Sequence, residues 1–157
     1  MVVTRRAGVG DLGPVNALHR RCSLESRFAR YASGRREVKA SEFARLVHPA
    51  AGISWLTVLR EDPRTAVAIT HLLKTRTPGA FELAVLVGDP WQGQGLGTRL
   101  TARALEAAAA DPGCLSVTAM FGAANGRALA IARRHGITIP AASAGVVEAT
   151  LALSGRS

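Results

Sequence analysis

The sequence is poor in the residues that announce a special chemistry. It holds two cysteines, Cys22 and Cys114, far apart and without CxxC or Cys/His spacing. That excludes a disulfide framework and a structural zinc site, and no metal site is expected. Two buried thiols are the preferred reading, with a catalytic Cys114 as the minor alternative. Aromatic residues are scarce, with one Tyr, two Trp and four Phe. Stacking platforms for single-stranded nucleic acid are therefore lacking, as is any RNP-like or zinc-finger spacing. No stretch approaches the roughly 18 apolar residues that span a bilayer. The N-terminal MVVTRRAGVGDLG has arginines but no apolar segment of signal-peptide type behind them. A cytoplasmic protein with no membrane partner is expected. Lysine is nearly absent too, since Lys39 and Lys74 are the two lysines among 20 basic residues.

What is present is a chain of 157 residues, 48% hydrophobic, with a net charge of +9. Such a length favours one domain, residues 1–157, with a sizeable core. Between Arg5 and Arg45 ten Arg or Lys stand against four acidic residues. This surface suits nucleic acid, an anionic protein or a polyphosphate ligand, or is simply a set of solvated helix faces. Without a groove-reading motif, nucleic acid is not expected as a partner.

The periodicity changes along the chain. Val2 to Arg6 reads as a short strand, and Leu12, Val15, Leu18 and Cys22 recur at helical spacing after a Gly10-Asp11 N-cap. Leu24, Phe28 and Tyr31 fall on one face of a further helical stretch, and 41–47 is a short helix. Residues 53–59, 66–73 and 81–87 read as three strands, with turns at Asp62-Pro63-Arg64 and Thr77-Pro78-Gly79. That is an antiparallel meander. A helix over 98–110, a strand over 115–121, a helix over 125–135 and a strand over 146–153 complete the chain. The order predicts an α/β layered domain with a mixed, mostly antiparallel sheet flanked by helices.

The chemistry concentrates in DPWQGQGLGT, residues 89–98, between the third meander strand and the next helix. A dinucleotide-binding turn needs GxGxxG, but the glycines here are Gly93, Gly95 and Gly97, and Thr98 follows. A P-loop needs GxxxxGK, and no lysine follows any of these glycines. What remains is a turn of unshielded backbone N–H groups at a helix N-terminus, which suits a pyrophosphate. Three glycines at two-residue spacing are more than a tight turn needs, because each costs conformational entropy on folding.

Gln92-x-x-Gly95-x-Gly97 resembles the (Arg/Gln)-x-x-Gly-x-(Gly/Ala) motif of the GNAT acetyltransferase superfamily. Pro90-Trp91 and the preceding ELAVLV are similar to it as well, and so is the order of elements across nearly the whole chain. Asn125-x-x-Ala128 with Gly136-Ile137 resembles the second signature, an Asn-led helix ending in Gly-Phe; Asn125-Gly126 as a plain turn is the alternative. The resemblance implies a single GNAT-like domain that uses acetyl-CoA as acyl donor. It places the pyrophosphate on the amides of Gln92, Gly93, Gln94, Gly95, Leu96, Gly97 and Thr98. It also implies that strand 81–87 splays from strand 115–121, so that the backbones of Val85 and Val87 pair with the pantetheine like an added strand. Asn125 would contact the pantetheine or position the thioester.

Acetyl transfer to an amine needs a base, a donor aimed at the developing oxyanion, and a departing thiolate. Glu82, on the strand that leads into the turn, is the first candidate base, and a plain solvent-facing Glu is the alternative. His71, on the neighbouring strand, is the second, though such a histidine is more often a sheet residue. The Val87 N–H is the candidate oxyanion donor. The position that carries the usual acid of this family, a Tyr in the Asn-led helix, is Ala132, a departure from the pattern. The stretch Cys22 to Tyr31 resembles one found in bacterial protein-lysine acetyltransferase domains. The acceptor is thus an amine, either a protein lysine or a small molecule. A homodimer is left open. The alternative function is a non-catalytic acyl-CoA-binding or sensing domain, which the missing Tyr favours.

Overall fold

In the computed structural model residues 1–23 and 37–153 are described. The order is β1 (Val2–Arg6), a 3-10 turn (Val9–Asp11), α1 (Leu12–Arg21), α2 (Ala40–Leu46), β2 (Gly52–Leu59), β3 (Ala66–Lys74) and β4 (Ala80–Val87). A second 3-10 turn (Asp89–Trp91) leads to α3 (Leu96–Ala110), then β5 (Ser116–Gly122), α4 (Gly126–Arg134) and β6 (Val146–Ala152). The six strands form one sheet in sequence order, β1-β2-β3-β4-β5-β6. All neighbours run antiparallel except β4 and β5. The exception follows from connectivity, because short loops join antiparallel strands whereas the helical crossover through α3 returns the chain parallel. The mixed, mostly antiparallel sheet with flanking helices is the one expected from the sequence.

Alternation along each strand sorts the side chains to two faces. On one face Leu56, Ile69 and Leu86 pack with Val15 and Leu18 of α1 and Phe43 of α2. On the other, Trp55, Leu72, Leu83 and Val117 pack with Ala104 and Ala108 of α3, while Phe121 and Val147 pack with Ala132 of α4. The small residues of α3 let it lie close to the sheet.

Several boundaries differ from expectation. The helix expected from Thr98 begins two residues earlier, at Leu96, because Gly95 takes a left-handed conformation and turns the chain straight into it. Asn125 is the N-cap rather than part of the helix it leads, and its side-chain oxygen accepts from the Ala128 N–H at 3.1 Å. It is therefore not a plain Asn-Gly turn. The helical face expected through Leu24, Phe28 and Tyr31, and the stretch that ends at Tyr31, lie beyond Ser23 and outside the described residues.

Asp11 was expected to cap α1, but it does not do so through its side chain. Its carboxylate instead accepts from both Arg5 nitrogens at 2.8 and 2.9 Å and from the Gly8 N–H at 2.8 Å. The Arg5 hydrogen bond holds this carboxyl below the usual aspartate range, against an opposing effect of burial, with Gly8 adding to it. A depressed folded-state value stabilises the protein above the unfolded value of about 3.9 and is lost as pH falls through the folded one. Asp11→Asn should therefore cost about 1 kcal/mol in urea denaturation at neutral pH, discounted for the half-exposed arginine. In acid the difference should vanish. A deficit that persists in acid would mean that the pair does not carry it.

Candidate active site

The meander brings β4 to the middle of the sheet with one edge incompletely paired. Its ladder with β5 has three rungs, Ala80 with Ser116, Phe81 with Val117 and Glu82 with Thr118, and goes no further. Towards β3 the pairing is complete up to Val87. The Gly88 N–H donates to the Val67 carbonyl at 2.8 Å, and the Ala80 carbonyl accepts from Thr75 at 3.1 Å, so the even-numbered residues point to β3. By alternation the backbone groups of Leu83, Val85 and Val87 point the other way, into the wedge where β5 has parted from β4. One of these groups is already engaged, since the Val87 carbonyl accepts from Gln92 Nε2 at 2.9 Å.

The wedge opens towards the glycine turn. Gly93 and Gly95 have φ of 76° and 83°, the left-handed region that favours glycine. Gly95 is the N-cap of α3 without a capping side chain, and its carbonyl accepts from the Arg99 N–H at 3.1 Å. The N–H groups of Leu96, Gly97 and Thr98 have no acceptor within the helix and carry the positive end of its dipole. Gly97 differs from the other two. A methyl there would meet Ile131 Cδ1 of α4 at 3.5 Å and Val87 Cγ2 at 3.9 Å, which are ordinary contacts. Neither the backbone conformation nor the space around it therefore demands a glycine at position 97.

Two arginines that sequence reasoning did not single out flank the turn. Arg99 Nη1 lies 3.6 Å from where a Gly95 side chain would begin, and Arg127 Nη2 lies 3.7 Å from the corresponding point on Gly93. Arg127 also donates to Gln92 Oε1 at 2.6 Å, which ties α4 to the turn. The Gln92 amide nitrogen reaches Asp89 Oδ1 at 3.4 Å, and Asp89 Oδ2 accepts from the Ser23 N–H at 3.1 Å. Gln94 Nε2 donates to the Pro90 carbonyl at 3.1 Å. The turn is therefore held from within by Gln92 and Gln94. Arg99 could have been found from sequence by its four-residue helical spacing from Gly95. Arg127 could not, because its proximity exists only once α4 is folded against the turn.

Glu82 stands on the last rung of the β4–β5 ladder, at the apex of the wedge, and is exposed. His71 shares its sheet face but is only 3% exposed, and its Nδ1 lies 2.6 Å from the Ser54 hydroxyl. The two candidate bases thus have opposite surroundings, one open to solvent and one enclosed. Ala132 is buried with Phe121, Val147 and Ala149, so the position that carries the tyrosine in the resembling family is a methyl inside an apolar cluster. His19 is buried with Nδ1 2.7 Å from the Val15 carbonyl, and His48 accepts from the Ala50 N–H. His135 caps the C-terminal end of α4. Cys22 and Cys114 are both buried. Cys114 precedes β5 at its paired end, away from the wedge, so it is not the thiol near the site that the sequence left open. Among the described residues no group of three metal-ligating side chains occurs, and no helix is long and apolar enough to cross a membrane.

The model of the acetyltransferase (GNAT) family matches residues 18–137, more than half of the chain and all of the wedge and turn. The chain belongs to the GNAT acetyltransferase family. No curated protein matches the sequence significantly. Solved structures share the GNAT fold at low identity. The GNAT domain of S. lividans PAT superimposes with a TM-score of 0.81 at 20% identity, covering 96% of this chain and 89% of that one. The Salmonella typhimurium protein yncA, seen with acetyl-CoA as its cofactor, gives 0.75 at 17%, with 99% and 96% covered. The Vibrio cholerae spermidine N-acetyltransferase, in complex with CoA and spermine, gives 0.72 at 15%, with 98% and 96% covered. At such identities the shared feature is the fold. The family match is what makes this GNAT chain an acetyltransferase.

Proposed function

We propose that this GNAT acetyltransferase moves an acetyl group from acetyl-CoA to a primary amine by direct transfer in a ternary complex. The observation that carries the reading is the wedge between β4 and β5, opening beside the bare N-terminus of α3. The backbone of Val85 would pair with the amide groups of a pantetheine arm like an added strand, and the Val87 N–H would meet the thioester carbonyl. The pyrophosphate would sit on the amides from Gln92 to Thr98, with Arg99 and Arg127 beside it. Asn125 spends its carbonyl oxygen on the α4 cap, so its amide N–H2 is the part that would face the pantetheine or thioester. The yncA structure with acetyl-CoA and the spermidine enzyme with CoA and spermine support this choice of donor and of acceptor class.

Glu82 is preferred over His71 as base, because it is exposed at the apex of the wedge whereas His71 is enclosed and hydrogen-bonded to Ser54. In the step proposed, Glu82 takes a proton from the ammonium directly or through a water. The amine nitrogen then bonds to the carbonyl carbon, and the Val87 N–H stabilises the oxyanion. Collapse breaks the C–S bond, the nitrogen gives up its second proton to solvent, and the thiolate leaves and takes a proton from solvent, since a thiol with a value near 8.5 needs little assistance.

The second reading, an acyl-CoA sensor without catalysis, is favoured by one observation, the apolar surroundings of Ala132. One experiment separates the two. Acetyl-CoA is incubated with the protein and a panel of polyamines, amino acids, amino-sugars and lysine peptides, and free thiol is followed. Turnover on an amine supports the enzyme. Saturable acetyl-CoA binding without thiol release on any acceptor supports the sensor.

A further inference from the structure

The sheet ends at β1, and the outer edge of that strand is bare. The Met1 carbonyl accepts from the Arg60 N–H at 3.0 Å and the Ala7 N–H donates to the Ser54 carbonyl at 2.9 Å, so the odd-numbered residues of β1 point to β2. By alternation the backbone groups of Val2, Thr4 and Arg6 point outward. The Arg6 carbonyl accepts from Arg5 Nη1 at 3.0 Å, and the others meet no backbone partner among the described residues. No proline or register shift interrupts β1, so its edge is an uninterrupted template for one more strand. Its surroundings differ on the two faces. Among the described residues the exposed large apolar side chains are Met1, Val3, Val9 and Met120, and all but the last lie on β1 or just before and after it. On the other face an open groove of about 650 Å³ runs between β1 and α3, lined by Val2, Thr4, Leu59, Leu100, Arg99 and Arg103. Arg6 and Arg103 are exposed, and their side chains have no hydrogen bond or ion pair among the described residues, whereas Arg5 and Arg20 find carboxylates.

We propose that the outer edge of β1 is a docking site for an extended acidic segment of a partner protein, which adds to the sheet as a further strand. Main-chain hydrogen bonds to Val2, Thr4 and the Arg6 N–H hold such a strand, and its alternate side chains give selectivity. Side chains of the added strand on the groove face would lie beside Arg6 and Arg103, so acidic residues belong there. Those on the opposite face would lie beside Val3, whose exposed surface suits Val or Ile. The partner segment thus alternates acidic and apolar residues along the 5 residues of β1. A second copy of this chain fits poorly. Each copy carries a net charge of +9 and would bring Arg5 and Arg6 to the shared edge, so the charges that block self-pairing are those that select an acidic partner. β1 stands three strand spacings from β4, about 14 Å, so a segment docked there leaves the wedge and Glu82 uncovered. Docking is therefore independent of acetyl transfer and would tether a partner without taking part in the chemistry.

Fluorescence anisotropy on the full chain at low salt tests this with two labelled peptides, one alternating Glu and Val and the other carrying the same residues as a Glu block followed by a Val block. The alternating peptide should bind saturably and at least about fivefold tighter than the block peptide, the worth of one net backbone hydrogen bond. Thr4→Pro removes an outward N–H without touching the ladder to β2, so it should weaken the alternating peptide by a similar factor. Thr4→Val loses the same hydroxyl contact with Thr57 but keeps the N–H, and should bind as the wild type does. Arg6→Glu combined with Arg103→Glu should weaken binding by about tenfold or more, an effect that fades as salt rises. Thermal melts report whether the variants fold. The charge-reversed pair leaves the edge backbone intact and decides the matter should the proline variant unfold. Absence of saturable binding, equal affinity for the two peptides, or unchanged binding in the charge-reversed pair overturns the proposal. A dimer in sedimentation that Thr4→Pro dissolves would assign the edge to a second copy and overturn it as well.

Discussion

Gly95→Val is expected to abolish acetyl-CoA binding while leaving the protein folded. Gly95 sits at φ 83°, where an L-residue is strained by about 1–2 kcal/mol and a β-branched one by more. That strain is small against a total stability of about 5–15 kcal/mol, so the variant should still melt cooperatively at a modestly lower temperature. Binding is far more sensitive. The strain would be relieved by rotating the Gly95–Leu96 peptide, which swings the helix-end amides away from their common direction. Losing two amide bonds to a charged phosphate at about 1.5–3 kcal/mol each weakens binding by about a hundredfold or more. Gly97→Ala supplies the contrast. Its methyl makes only ordinary contacts, so affinity should stay within about threefold of wild type. Calorimetric titration of both variants decides the matter. Wild-type affinity in Gly95→Val would remove the pyrophosphate from the turn.

Glu82→Gln should lower kcat by about a hundredfold, at the lower end of what a positioned base contributes, with the Kd for acetyl-CoA unchanged. The substitution keeps the shape and removes only basicity, and Glu82 lies on the ladder rung where the wedge begins rather than along the wedge where cofactor would lie. The separation of kcat from donor affinity is the informative part. A further sign lies in pH dependence, since the variant should gain rate only as the acceptor amine itself loses its proton. If kcat changes less than about threefold, the side chain is an ordinary exposed residue of β4, and the amine is deprotonated by bulk solvent or a group on the acceptor side.

Much of this was legible in the sequence because it is local. The strand-to-helix glycine turn, the three meander strands and Asn125 at the head of α4 depend on near neighbours, and residue spacing speaks for them. The starting point of α3 was placed two residues late, whereas Gly95 in the left-handed region is what allows the helix to begin at Leu96. Asp11 was read as a cap by its place before a helical stretch, but Arg5, brought alongside by the bend after β1, competes for its carboxylate. The exposure contrast between Glu82 and His71 could not be read either. Both occupy alternating positions on adjacent strands, and only the placement of α1 and α2 over one half of that sheet face encloses the histidine. Arg127 and the Arg99–Arg103 groove are likewise products of tertiary approach.

The short joint between β4 and β5 has a further consequence. Among the described residues, three ladder rungs and the Gly79 carbonyl, which accepts from the Leu115 and Ser116 N–H groups, are the backbone pairing that fastens β5 and β6 to the first four strands. A molecule lying in the wedge would act as mortar between two slabs of one wall, hydrogen-bonded to the first and packed against the second. Anything that binds only the native state raises stability by mass action. On the proposed reading the protein's resistance to unfolding, and to proteolysis of its last third, rises and falls with the cell's supply of acyl donor, so that its lifetime reports metabolic state whether or not an acceptor is at hand.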